Sequence, residues 1–343
     1  MFDSNAKWLK ERLDGLTEFG DPLVRLNELI DWQLFMPAIN RAFYKMRKSP
    51  AGRKHYCRLM MFKVLILQTL YNISDHQMEY QIRDRLSFMR FLGLRLRDPA
   101  PDEKTIWNYR EVLSQGGYID KLFEAFENHL ASKGMGAKIG TIIDASIVSA
   151  PKQRNSKEDN DKIKAGEIPE SMKENLNQFR QKDMDGRWTQ KNRQNYYGYK
   201  NHIGIDANYK FIRAYEVTPA NMADINCFDS LLPANYPPNW YVWADAAYRS
   251  EEQEKKLSER GFKSRIITRG YRSLPPGSSI RRENTRRSKI RARVEHVFGF
   301  MTNTLKENIV RTIGLRRAKT KIGLVNIVYN VCRYEQIHRL GVA

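Results

Sequence analysis

Two strongly apolar segments, each broken by a single aspartate, constrain this chain more than any other feature. IGTIIDASIVSA (139–150) is rich in β-branched residues and reads as a strand with Asp144 at its centre. WYVWADAAY (240–248) reads as another, with Asp245 at its end and Ala246 and Ala247 leaving open space around it. A carboxylate set among apolar strand residues costs free energy unless it is paired or ligates something. Capping of a turn at a strand end is the competing account of either aspartate alone. Two of them at matching strand positions favour a shared task.

The neighbouring elements alternate. NHIGIDAN (201–208) and KFIRAYEVTPA (210–220) look like two strands joined by a polar turn at Asn208, and a helix fits Ala223 to Leu232. SEEQEKKLSERG reads as a helix ended by Gly261, KSRIITR as a strand, and Ser288 to about Lys306 as a helix. A last helix runs from Ala318 to His338, with Ile322, Val325, Val328 and Val331 among its apolar positions. This is an α/β order. It matches a ribonuclease-H-like core, a mixed sheet flanked by helices, although order alone leaves other mixed sheets open.

Residues 1–135 read as all-helical. Ser74 with Gln77 makes a capping box, after which Met78, Ile82, Leu86 and Met89 lie along one face. Asp102 caps the next helix, which would bury Ile106, Val112 and Leu113, and another follows from Ile119 to Leu130. Short helices joined by tight turns suit a helix-turn-helix reader with Lys104, Asn108 and Arg110 on DNA, and equally a packing or dimerisation unit. The expected division is a helical domain over 1–135 and an α/β domain over 136–343. Polar segments at about 151–195 and 270–288 read as surface loops inserted in the latter.

Lys and Arg number 59 against 39 Asp and Glu, a formal net charge of +20, while 41% of residues are hydrophobic. A folded chain with that excess expects a polyanionic partner, nucleic acid first. The longest apolar run, LMMFKVLILQTL, is broken by Lys63 and falls well short of the roughly 20 residues of a membrane span. The N-terminus has no apolar signal region, so the protein is expected in the cytoplasm, without membrane association. Cys57, Cys227 and Cys332 are isolated from one another and read as buried thiols.

A third carboxylate, Glu295, borders the apolar face made by Val294, Val297, Phe298 and Met301, with Arg291 one turn earlier at ion-pair spacing. A solvated Glu paired with Arg291 is the alternative. Three carboxylates suit phosphodiester cleavage, because two metal ions about 3.5–4 Å apart can offset the negative charge on the attacking and leaving oxygens. Mg²⁺ takes oxygen ligands and keeps several waters, so no catalytic Ser, Cys or Tyr is then needed.

TIIDASIVSAP, GYKNHIGIDA, TPANMAD, WADAAY and RARVEHVFG, in this order, resemble the successive blocks of the DDE transposases of bacterial insertion sequences, in the family named after insertion sequence five. YNISDHQMEYQIRDRLSFMRFLGL with PDEKTIWNYR is similar to the helical domain that precedes the core in that family. The resemblance implies a ribonuclease-H-like fold, with Asp144, Asp245 and Glu295 as catalytic residues. They would hold Mg²⁺ or Mn²⁺, two ions per active site. It also implies double-stranded DNA partners, transposon ends and target, and a homodimer that pairs two ends. Related transposases often carry Tyr seven residues before the Glu, Arg four before it and Lys seven after. Arg291 fits the middle position, whereas Ser288 and Thr302 stand at the outer two, with Lys289 and Lys306 nearby. A metal-dependent nuclease that cuts without joining, or a non-catalytic DNA-binding descendant, would share most of these features.

From Lys263 to Arg293 there are eleven Lys and Arg against one acidic residue, Glu283. A solvated face would mix signs, so Arg281, Arg282, Arg286, Arg287, Lys289 and Arg293 are expected on phosphates. Trp188, set among Arg187, Lys191, Arg193 and Lys200, suits stacking on an unpaired base, with Lys200 as a phosphate contact. Tyr196 and Tyr197 read as loop anchors. His202, on a strand expected beside Asp144, could orient a phosphate or water or be a structural histidine. Asp206 reads as turn chemistry, and Asp224 as a residue at a helix start.

Overall fold

The computed structural model describes residues 3–44, 55–270, 277–306 and 308–341. Its backbone contacts form two compact units. One comprises the described residues up to Gly136 together with those from Gly323 onward, and the other Ala137–Ile322. The closing segment therefore groups with the helical unit, where the sequence division assigns it to the α/β domain.

In the helical unit, among the described residues, helices α1 (Asp3–Glu18), α2 (Pro22–Leu29), α3 (Met36–Ala42), α4 (Arg58–Tyr71), α5 (Asp75–Asp84), α6 (Leu86–Leu92), α7 (Glu103–Gln115) and α8 (Tyr118–Ser132) follow one another. They enclose Phe35, Phe62, Leu65, Phe88 and Phe126, all buried. Both expected caps form. The Ser74 hydroxyl accepts from the Gln77 N–H, and Asp102 Oδ1 from the Thr105 N–H at 2.7 Å. One expected helix is two, because Arg85 adopts an extended conformation between α5 and α6. Cys57 is exposed, where a buried thiol was expected.

The second unit is built on a mixed sheet. Its strands are β1 (Gly140–Ser149), β2 (Arg187–Lys191), β3 (Gln194–Asp206), β4 (Ile212–Pro219), β5 (Tyr241–Trp243) and β6 (Lys263–Ser264). The order is β2-β3-β1-β5-β6, with β4 also on β3. Central β1 runs antiparallel to β3 and parallel to β5, and β5 is parallel to β6. With flanking helices, this is the ribonuclease-H-like arrangement. Ile143 packs on one face with Phe228, Val242, Tyr248 and Leu257. Val148, Tyr199 and Val217 pack on the other with Val310, Ala318 and Ile322. Side chains alternate along a strand, so Asp144 shares the face of Val148 and not that of Ile143.

Three expectations for this unit change. The helix expected over Ala223–Leu232 is two 3₁₀ turns, Asp224–Cys227 and Asp229–Leu231. The 151–195 loop contains helices α9 (Lys157–Lys164), α10 (Glu170–Glu174) and α11 (Leu176–Arg180), and ends in β2, which forms a hairpin with β3. RRENTRR, expected in a loop, is helical, since α12 (Glu251–Glu259) is followed by α13 (Ser278–Arg291) and α14 (Arg293–Gly299). The rest of that loop, with Arg272, Pro275 and Pro276, lies outside the described residues. A π-helical turn over Phe300–Thr304 succeeds α14, and α15 (Leu315–Arg339) closes the order. No helix of the described residues is long and apolar enough to cross a membrane.

Candidate active site

The parallel register of β1 and β5 sets Thr141 beside Val242 and Ile142 beside Trp243. Continued along both chains, it brings Asp144 level with Asp245. Gly140 makes this close approach feasible, because a Cβ there would collide with the Tyr241 carbonyl oxygen and the Trp243 ring. Main-chain bonds from Arg265 N–H to Val242 O and from Ile267 N–H to Ala244 O extend the pairing of β5 to the edge of Asp245.

Asp144 is 21% exposed, and burial pushes its carboxyl above the usual aspartate range. The Ala145 N–H, Arg291 and Lys191 act against that rise, and the charge of Asp245 adds to it. Asp245 is exposed and its Oδ1 accepts from the Ala247 N–H, capping the 3₁₀ turn Ala246–Tyr248. The turn-capping account of this aspartate is thus met in the structure, and it leaves the second oxygen of the carboxylate to other work.

Glu295 lies in the first turn of α14, with its side chain 64% exposed. It joins Asp144 through Arg291. Nη1 of that guanidinium donates to Asp144 Oδ2 at 2.8 Å and Nη2 to Glu295 Oε1 at 3.1 Å. The ion pair with Arg291, the alternative reading of Glu295, is therefore formed, and through the same guanidinium it runs on to Asp144. Among the described residues, no three His, Cys, Asp or Glu side chains stand close enough together to hold a metal ion as placed. The donors nonetheless fit a hard divalent cation, being carboxylate oxygens only, and a positive group, Arg291, already bridges two of them.

The family model described as Transposase DDE domain matches residues 136–331, more than half of the chain, and the model described as Transposase domain (DUF772) matches residues 11–112. The chain belongs to the DDE transposase family. It is a DNA transposase of the polynucleotidyl-transferase type, a class that works with divalent metal ions. Among solved structures, the chain is similar to piggyBac transposase in a synaptic complex with hairpin DNA. That match has a TM-score of 0.48 and 11% identity, and covers 93% of this chain and 76% of that one.

Other sequence-selected residues of the transposase separate into outward and inward groups. Arg281, Arg282, Arg286 and Lys289 are exposed on α13. Arg287 turns inward to Glu283 and the Ile266 carbonyl, and Arg293 donates to the Ala207 carbonyl. Lys104 is exposed on α7, whereas Arg110 makes a two-pronged pair with Asp75 and also meets Gln68 Oε1. These three arginines are engaged by the protein's own acceptors, where the sequence reading expects them on DNA.

Lys200 is likewise engaged, with Asp224 at 2.7 Å and the Met222 carbonyl. His202 pairs with Ala145, so it projects from the sheet face opposite Asp144. It is fully buried beside Thr218, at 2.9 Å, and burial lowers its pKa. A role in orienting substrate beside Asp144 is therefore replaced by a structural one. Asp206 accepts from the Asn208, Tyr209 and Phe211 N–H groups, the turn chemistry expected. Tyr197 is buried and donates to the Asp183 carbonyl, while Trp188 is 46% exposed with Lys152 over its ring. Lys191, near the tip of the β2–β3 hairpin, is the residue that sequence reasoning passed over as a site member. Its charge favours the ionised form of Asp144, an effect that depends on the β2–β3 hairpin and has no local sequence signal.

Proposed function

We propose that this transposase binds the terminal inverted repeats of its own element, cleaves there, and joins the freed 3′-hydroxyl to target DNA, all at Asp144, Asp245 and Glu295. The observation that supports this most is the parallel register of β1 and β5, which when continued brings Asp144, within β1, level with Asp245, just beyond β5, with Glu295 linked to Asp144 through Arg291. Bound there as two ions, Mg²⁺ or Mn²⁺ would supply the positive charge that offsets developing negative charge on the attacking and leaving oxygens. Asp144 and Asp245 would hold both ions and Glu295 would complete the ligands of one. The sheet contributes rigidity, since Asp144 is held within β1 and Asp245 caps the turn that follows β5, so neither needs much reorganisation when DNA arrives. Partial burial of Asp144 strengthens its attraction for any cation, because less water screens the charge. The exposed cations of α13 would follow the DNA backbone beside the site, and a homodimer would bring two ends together.

The test is to incubate labelled element-end DNA with the protein and Mg²⁺ or Mn²⁺, beside Asp245→Ala. Cleavage and strand transfer are expected with the native chain alone. Products that persist in Asp245→Ala would remove the assignment, and hydrolysis without a joined product would reduce it to a nuclease.

A further inference from the structure

Arg291 is placed unusually for a surface arginine. It ends α13, its side chain is 23% exposed, and its two terminal nitrogens are divided between Asp144 and Glu295. Its Nε is buried without a hydrogen-bond partner. A guanidinium stays charged under all working conditions, so it cannot make room for a second cation by losing a proton. The position it bridges is the one an ion shared by Asp144 and Glu295 would need. Coulomb repulsion in a partly desolvated site opposes simultaneous occupancy. The same planar fork binds phosphate oxygens as well as it binds carboxylates.

We propose that Arg291 is a latch which competes with divalent metal for Asp144 and Glu295, and which DNA releases by offering phosphate oxygens to the same guanidinium. This rests on the reading of Asp144 and Glu295 as metal ligands. In the latched arrangement Arg291 holds the two carboxylates together, and their mutual repulsion is offset internally. When a DNA backbone arrives, Arg291 moves to a phosphate, and both carboxylates become available to metal at the moment substrate is present. Coupling of this kind is reciprocal, so metal also favours the DNA-bound position of Arg291.

The experiment measures Mn²⁺ binding to the full chain by electron paramagnetic resonance of the free ion, with and without a short duplex of end sequence. It compares the native protein with Arg291→Gln, Arg291→Lys, Asp144→Asn and Glu295→Gln, each checked for folding by circular dichroism. Without DNA, Arg291→Gln should bind Mn²⁺ at least about fivefold more tightly than the native chain, and Arg291→Lys, which keeps the charge but loses the fork, by less. Adding DNA should tighten Mn²⁺ binding more in the native chain than in Arg291→Gln. Phosphate supplies ligands to both proteins, so the difference between them is the diagnostic quantity. Should Arg291→Gln misfold, a tightening in Arg291→Lys still supports the latch and its absence overturns it. If neither Arg291 variant tightens binding while Asp144→Asn loses it, the latch is refuted and the metal site stands. If Asp144→Asn and Glu295→Gln bind Mn²⁺ like the native chain, the ligand reading fails, and the latch with it.

Discussion

Replacing Arg282, Arg286 and Lys289 together by alanine should change how DNA binding responds to salt, and by a calculable amount. The three cations are all exposed and spaced four and three residues apart, so they share the outward face of α13. Each phosphate neutralised contributes about 0.9 to the slope of log affinity against log salt, so removing three contacts should flatten that slope by about 2.7. Fluorescence anisotropy with a labelled end duplex, titrated at several KCl concentrations, measures it. Arg287→Ala is the internal comparison. Its guanidinium is 13% exposed and engaged by Glu283 and the Ile266 carbonyl, so it should lower thermal stability and leave the slope unchanged. A triple variant with the native slope, or an Arg287→Ala protein that flattens it by as much, would refute the division of the basic stretch into outward and inward halves.

Two further outcomes follow from charged groups elsewhere. Arg110→Ala breaks a partly buried two-pronged ion pair between α5 and α7, and losing such charge-assisted bonds costs about 1.5–3 kcal/mol. The melting temperature should fall while end-DNA affinity measured well below it stays native, and a native melting temperature with weakened DNA binding would return Arg110 to the DNA-contact residues. For Asp144, whose folded pKa is raised by burial, the unfolded chain ionises first as pH climbs past about 4, and stability is lost from there up to the folded value. In chelator, Asp144→Asn should therefore have a higher urea midpoint than the native chain at pH 7 and nearly the same midpoint at pH 3. Equal midpoints at pH 7 would mean that Arg291 and the Ala145 N–H offset the burial cost in full.

What the sequence disclosed depended on whether a segment's own residues decide its structure. β1, β3, β4 and β5 are dense in β-branched and aromatic residues, and the caps at Ser74 and Asp102 act within a few residues, so these were legible. The segment Ala223–Leu232 has helical apolar spacing. However, Ser230 bonds back to the Cys227 carbonyl and across to Glu216, and Phe228 and Leu231 enter the sheet core, which leaves two tight 3₁₀ turns. α13 was hidden by its charge. Arg and Glu are good helix formers, and the Asn284 amide clips the helix to both the N–H and the carbonyl of Thr268, a contact no periodicity reveals. β2 has no apolar alternation, and its hairpin depends on Asn192 and Arg193 both taking positive φ, a weaker signal than a glycine turn. For the site, the strand setting marked Asp144 and Asp245, whereas the position of Glu295 required the fold. So did the fate of each arginine, because an Arg on DNA and an Arg on a carbonyl look alike in a one-dimensional chain.

The level pairing of Asp144 with Asp245 has a consequence for how the enzyme comes into being. The paired strands are separated in sequence by three helices, the hairpin, β4 and two 3₁₀ turns, and Glu295 lies beyond them all. Pairing over such a span is slow, because the loop must close before its contacts repay the lost chain entropy. A partly synthesised or prematurely terminated chain can thus present β1 with its aspartate, or even both aspartates, and still lack the carboxylate that α14 delivers. On the proposed assignment of Glu295, the capacity to cut is among the last properties the growing polypeptide acquires, so incomplete products would carry no working blade.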